Sequence, residues 1–119
     1  MTESEFLKLA EATLQRIQSA VEEASDDIDV DRAGNVLNLV FDDGFQIVIN
    51  IQAPMQQLWM ASRRGGQHFD YQAGDWIDTC SRQSLLKALS SLLTQKLGQV
   101  VELSRISSIV RRSGRGSYR

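Results

Sequence analysis

An α+β fold, a two-layer sandwich with N-terminal and C-terminal helices packed on one face of an antiparallel sheet, is predicted by three features of the chain. A helix-spaced apolar stripe opens the sequence, short period-two segments separated by turn residues fill its middle, and a helix-spaced leucine stripe follows. At 119 residues the chain fits one domain with a single core.

Phe6, Leu9, Ala10, Thr13, Leu14, Ile17, Ala20, Val21 and Ala24 recur three and four residues apart, which predicts one face of a helix of about 20 residues. Thr2 and Glu5 have capping-box spacing at its start. From Ile28 the period becomes two: Ile28 and Val30 alternate with Asp27, Asp29 and Asp31, as in an edge strand with one buried face. Acids on an edge also discourage pairing with other chains. Gly34-Asn35 turns the chain into Val36 to Phe41, where Leu37, Leu39 and Phe41 are expected to face the core. Asp42-Asp43-Gly44 supplies the next turn, since Gly and Asp tolerate the positive φ it needs. In Phe45 to Ile51 the odd positions are apolar and Gln46, Val48 and Asn50 take the other face. Pro54 interrupts the pairing before a strand from Gln56 to Ser62, in which Leu58 and Met60 alternate with Gln57, Trp59 and Ala61. Gly65-Gly66 and Ala73-Gly74 punctuate two short strands, Gln67 to Tyr71 and Asp75 to Asp78. A second helix is expected from about Arg82 to Leu97, burying Leu85, Leu86, Leu89, Leu92, Leu93 and Leu97 and ending at Gly98.

Several function classes are excluded at this level. No apolar run approaches the roughly 20 residues that span a bilayer. Met1-Thr2-Glu3-Ser4-Glu5 is acidic where a secretory signal is basic and then apolar, so a cytoplasmic protein is expected. Cys80 is the single cysteine, which rules out an internal disulfide and a Cys-x-x-Cys metal site, and it is expected to be a reduced residue at a loop or strand end. His68 is the single histidine and is expected to be a hydrogen-bonded strand residue. There is no nucleophile elbow, phosphate-binding loop or dinucleotide fingerprint, and no Glu-x-x-His pair for a dinuclear oxidase, so a non-enzymatic protein is expected.

Charge is the strongest signal. Residues 1–31 hold nine acids against Lys8 and Arg16, a balance of −7, whereas residues 105–119 hold five arginines and no acid. Blocks of this kind point to partners. Glu11 and Glu22 are about three helical turns apart, so they share an exposed face, and the helix end brings Glu22 and Glu23 close to Asp26 and Asp27. Asp27, Asp29 and Asp31 follow two strand residues apart, roughly 7 Å at the backbone. At that distance each pair repels by only about 0.6 kcal/mol in water, but the sum still disfavours the compact state. A cation or a basic partner would relieve it. Carboxylates suit hard or borderline cations, and iron(II) lies low in the affinity series. Glu22, Glu23, Asp26, Asp27, Asp29 and Asp31 are therefore expected to bind divalent cations, iron(II) among them, weakly, exchangeably and with little selectivity. A helix-loop-helix calcium loop starting at Asp27 fails, because its sixth and twelfth positions are Arg32 and Asn38 instead of Gly and Glu.

The alternation also turns Asn50, Gln57 and Trp59 away from the helices, with Gln52 and Arg63 nearby; an exposed indole among amides is a typical docking hot spot. The run Asn50-Ile51-Gln52-Ala53-Pro54-Met55-Gln56-Gln57-Leu58-Trp59-Met60-Ala61, followed by Gly65-Gly66, His68-Phe69-Asp70 and Trp76-Ile77, resembles the signature of bacterial frataxins. The resemblance covers roughly residues 3–103 and includes Ser4-Glu5-Phe6. It implies the frataxin fold and a role in iron-sulfur cluster assembly, as an iron donor (ferrous or ferric) or an iron-dependent regulator of the cysteine desulfurase complex. It also implies that the acidic ridge docks on a basic patch of the desulfurase and that the Trp contacts the assembly machinery, including the scaffold protein. Glu22, Glu23, Asp26, Asp27, Asp29 and Asp31 match the ridge, Asn50, Gln52, Gln57, Trp59 and Arg63 match the sheet surface, and Glu11 joins the partner-binding set. Gln18 and Ser19 stand where bacterial relatives often have acids, and the loop before Asp26 is short, so this ridge is expected to hold fewer ions.

A pure interaction module that uses the same surfaces without metal is the alternative reading. A monomer that metal can drive into oligomers is expected, with no membrane or nucleic-acid partner. The division expected is a domain over 1–104 and a flexible arginine-rich tail over 105–119, which is not part of the family pattern.

Overall fold

The computed structural model describes residues 1–98, 101 and 103. Helix α1 (Glu3–Ala24) leads into β1 (Asp29–Ala33), β2 (Val36–Val40), β3 (Gln46–Gln52), β4 (Gln57–Ser62), β5 (Gly65–Gln72) and β6 (Asp75–Asp78), and α2 (Leu85–Leu97) follows. The strands form one antiparallel sheet in sequence order, a meander in which every connection is a hairpin. Both helices lie on one face, α1 across β1 and β3 and α2 against β6.

The capping box forms as the spacing predicts: Glu5 N–H donates to Thr2 Oγ1 at 3.1 Å and Thr2 N–H to Glu5 Oε1 at 2.8 Å. The α1 stripe is buried through Phe6, Ala10, Thr13, Leu14, Ile17, Ala20 and Val21. It meets Leu37, Leu39, Ile47, Ile49, Leu58, Met60 and Phe69 from the sheet and Leu85, Leu89 and Leu93 from α2 in one continuous core. Each such side chain contributes about 1.5–3 kcal/mol when removed from water. Trp76 is the polar anchor of this layer. Its indole N–H donates to Thr13 Oγ1 at 3.1 Å, and the Thr13 hydroxyl donates in turn to Leu9 O at 2.8 Å.

Several strand ends shift by one residue from expectation, and three boundaries need a physical account. Ile28 is buried but lies just before β1, which starts at Asp29. Gly65 and Gly66 belong to β5, opposite Ser62 and Ala61, because the turn is made by Arg63-Arg64 alone and Gly65 takes φ 135°. Helix α2 starts at Leu85, not near Arg82, whose left-handed φ of 68° is incompatible with a helix. Ser84 caps it, accepting from Lys87 N–H at 3.2 Å. Gly98 closes α2 at φ 72° as expected. Beyond it Val101 exchanges two hydrogen bonds with Thr94 Oγ1, and Leu103 N–H donates to Ser90 Oγ at 2.8 Å. The boundary expected at Ser104 and the tail expected over 105–119 lie outside the described residues.

Candidate functional site: an acidic edge continuous with the open sheet face

The acidic surface begins where α1 ends. Glu22 and Glu23 are exposed in a last turn that carries no basic residue, although the free carbonyls of a helix C-terminus favour cations there. Glu22 accepts from Gln18 Nε2 at 3.5 Å, and among the described residues neither acid meets a Lys or Arg. Ser25 stops the helix in extended conformation, and its Oγ accepts from Asp27 N–H at 3.0 Å, which turns the exposed Asp26-Asp27 pair toward β1.

Strand β1 then sorts its side chains between the two faces. Val30 and Arg32 face the helices, and Arg32 reaches Glu11 at 2.6 Å while its Nε donates to Gly34 O at 2.8 Å. Glu11 is thus set apart from the other acids, because its charge is matched by a cation of its own chain. Asp29 and Asp31 take the opposite face, and the register says what they join. Asp31 lies opposite Asn38, which lies opposite Val48, then Ala61, then Gly66. The next row runs Ala33, Val36, Asn50, Trp59, His68, and the one after it Gln52, Gln57, Asp70, Ile77. Residues directly opposite in a ladder share a face. The two surfaces separated by sequence reasoning, the acidic strand and the Trp face, are therefore one surface.

Trp59 is half-buried at its centre. Its ring stacks on His68 with centroids 4.2 Å apart and planes 12° from parallel. Its indole N–H donates to Gln57 Oε1 at 2.7 Å, and Gln57 Nε2 donates to Asp70 Oδ1 at 2.9 Å. Asn50 lies across from Trp59 on β3 and Gln52 across from Gln57. Arg63 is in the β4–β5 turn, directly after β4 and outside the ladder. One expectation needs correction. His68 is exposed and packs by stacking, not through a side-chain hydrogen bond among the described residues. Sequence reasoning missed His68 and Asp70 as members of the face; the signal was the two-residue Arg63-Arg64 turn, which sets His68 opposite Trp59. Cys80 is a free, exposed loop residue, as expected.

Chemically the arrangement is open. Among the described residues no three Asp, Glu, His or Cys side chains converge as a metal cage. Oxygen donors of this kind suit hard or borderline cations. Residues 1–99 match the family model of the frataxin-like domain. The chain belongs to the frataxin family. It is 53% identical over 100 residues to the iron-sulfur cluster assembly protein CyaY of Ralstonia nicotianae, covering 81% of this chain and 88% of the relative. With CyaY of Ralstonia pickettii it shares 54% identity over 101 residues, 81% of this chain and 89% of that one. Among solved structures, the frataxin from Psychromonas ingrahamii superposes with a TM-score of 0.82 at 36% identity, over 87% of this chain and 99% of that one. Trimeric yeast frataxin complexed with ferrous iron gives 0.69 at 26% identity, over 83% and 88% of the two chains. The fold and family expected from the signature run hold. No described helix is long and apolar enough to cross a membrane.

Proposed function

We propose that this frataxin acts in cytoplasmic iron-sulfur cluster assembly, carrying iron weakly on Glu22, Glu23, Asp26, Asp27, Asp29 and Asp31 and regulating, or supplying iron to, a cysteine desulfurase complex that docks across the same surface. The observation that carries this reading is the register, which puts Asp31 in the row beside that of Asn50 and Trp59. A basic partner seated on the indole would cover the acids as well, so cation occupancy and docking would be coupled through shared carboxylates. The names of the CyaY relatives support the assembly role, and the ferrous complex of the yeast frataxin supports iron as the cargo.

A metal-independent docking module is favoured by one observation: Asp29 and Asp31 are separated by a full strand repeat instead of converging on one point. A pull-down with the purified desulfurase complex, with and without ferrous iron, separates the readings. Iron-dependent retention is expected, together with broadening of amide signals around Glu22 to Asp31 on iron titration. Equal retention in both arms supports the docking module, and broadening confined to His68 and Cys80 removes the iron-carrier reading.

A further inference from the structure

The centre of the open face contains a hydrogen-bonded chain. Trp59 donates its indole N–H to Gln57 Oε1 at 2.7 Å, and the Gln57 amide donates its Nε2 to Asp70 Oδ1 at 2.9 Å. These three side chains belong to two adjacent strands, with Gln57 directly opposite Asp70 and Trp59 directly opposite His68. A glutamine amide has two faces to offer, an acceptor and a donor, and nothing intrinsic to it decides which end meets the indole. A carboxylate can only accept. Asp70 therefore fixes the amide with its nitrogen toward β5 and its oxygen toward β4, where the indole N–H needs an acceptor. The stacked imidazole of His68 holds the ring from its flat side.

We infer that Asp70 is a positioning residue of the docking face: acting through Gln57, it orients the Trp59 indole before any partner arrives. This rests on the reading of the open face as a docking surface, and it deepens that reading by saying why a half-exposed indole on a solvent-facing sheet has one orientation instead of several. A rigid aromatic anchor loses less conformational freedom on binding than a mobile one, so the chain of hydrogen bonds raises affinity without Asp70 having to touch the partner.

The test has two readouts, the first independent of any partner. In nitrogen-15-labelled free protein the Trp59 and Trp76 indole N–H signals are followed in wild type, Asp70→Ala, Asp70→Asn and Gln57→Leu. Asp70→Ala is expected to shift the Trp59 signal and speed its exchange with water by about two- to tenfold, the range of one net hydrogen bond. Asp70→Asn, which keeps an acceptor oxygen, is expected to restore the signal. The Trp76 indole, buried against Thr13, is the internal control for folding. In the Gln57→Leu background the further change Asp70→Ala is expected to do nothing more, because the link is already cut. An unmoved Trp59 signal in Asp70→Ala overturns the inference. So does a Trp59 signal that changes equally in the Ala and Asn variants, which would assign the effect to charge. The second readout is affinity for the desulfurase complex, where Asp70→Ala is expected to weaken binding about two- to tenfold. Equal weakening by Asp70→Ala and Asp70→Asn with an unmoved indole signal makes Asp70 a direct contact and also overturns the inference. If Trp59→Ala leaves affinity unchanged, the docking reading itself falls while the orientation of the indole can still stand.

Discussion

Asp78 and Asp31 are both strand aspartates of one sheet, and the protein uses them in opposite ways. Asp78, at the end of β6, is 4% exposed and accepts from Ser81 Oγ at 2.6 Å, Ser81 N–H at 3.1 Å, Cys80 N–H at 3.4 Å and Gln67 Nε2 at 3.4 Å. Its carboxylate gathers the loop that reverses the chain into α2. Asp31, with Asp29 beside it, is exposed on β1 and meets no Lys or Arg among the described residues. A carboxylate whose acceptor sites are filled by its own chain holds the fold; one left open is available to something else.

The contrast breaks most visibly at Asp78. Replacing it by Ala removes a buried carboxylate that four hydrogen bonds tie to the loop and to Gln67, and is expected to lower the stability measured by urea unfolding by about 3 kcal/mol. The pH dependence follows from its environment. Burial pushes the carboxyl up, but the Ser81 hydroxyl, the Ser81 and Cys80 amides and Gln67 outweigh it and hold the group below its ordinary value of 3.8. A group depressed in the folded state contributes stability that is complete above its unfolded value and is lost as pH falls through the folded one. The stability gap between wild type and Asp78→Asn is therefore expected to be constant from pH 7 to about 5 and to narrow below about 4. A gap that widens in acid would contradict the depressed value. Next in size is Thr13→Val, which preserves shape but leaves the Trp76 indole N–H without its acceptor. A loss of about 1.5 kcal/mol is expected in the same measurement, with little change in partner affinity.

Fold and site were unequally legible in the sequence, for a physical reason. Periodicity is a statement about burial, so it found the first four strands and the inward Leu37, Leu39, Ile47, Ile49, Leu58 and Met60, while glycine turns marked the last two strands. It misplaced the start of α2 because Arg82, Gln83 and Ser84 carry no burial pattern; Arg82 and Gln83 are held by the backbone of Asp78, whose carbonyl accepts from Arg82 N–H at 3.0 Å and whose N–H donates to Gln83 O at 2.9 Å, contacts that local propensity does not contain. The acids were visible as a charge block, but their union with Trp59 was not. That union needs the register across four strands, and a shift by one residue would have sent Asp31 to the helices. Arg63, expected near the face, lies in the turn directly after β4. His68 takes a place there because it pairs with Trp59.

The smallest effect on stability is expected where the effect on function is greatest, at Asp27, Asp29 and Asp31 replaced together by Asn. Asparagine keeps size and hydrogen-bonding reach but removes three charges from a cluster that has no cation of its own among the described residues. Repulsion within the cluster is relieved, so the thermal midpoint is expected to hold or rise slightly. Iron-induced broadening around Glu22 to Asp31 is expected to fade, and retention on the desulfurase complex to fall to background with or without iron. The Asn triple and Trp59→Ala then report on one surface from its two ends. If Trp59→Ala abolishes docking while the triple variant docks normally, the rows that join Asp31 to the indole are continuous in the sheet but not in the complex, and the acids serve the cation alone.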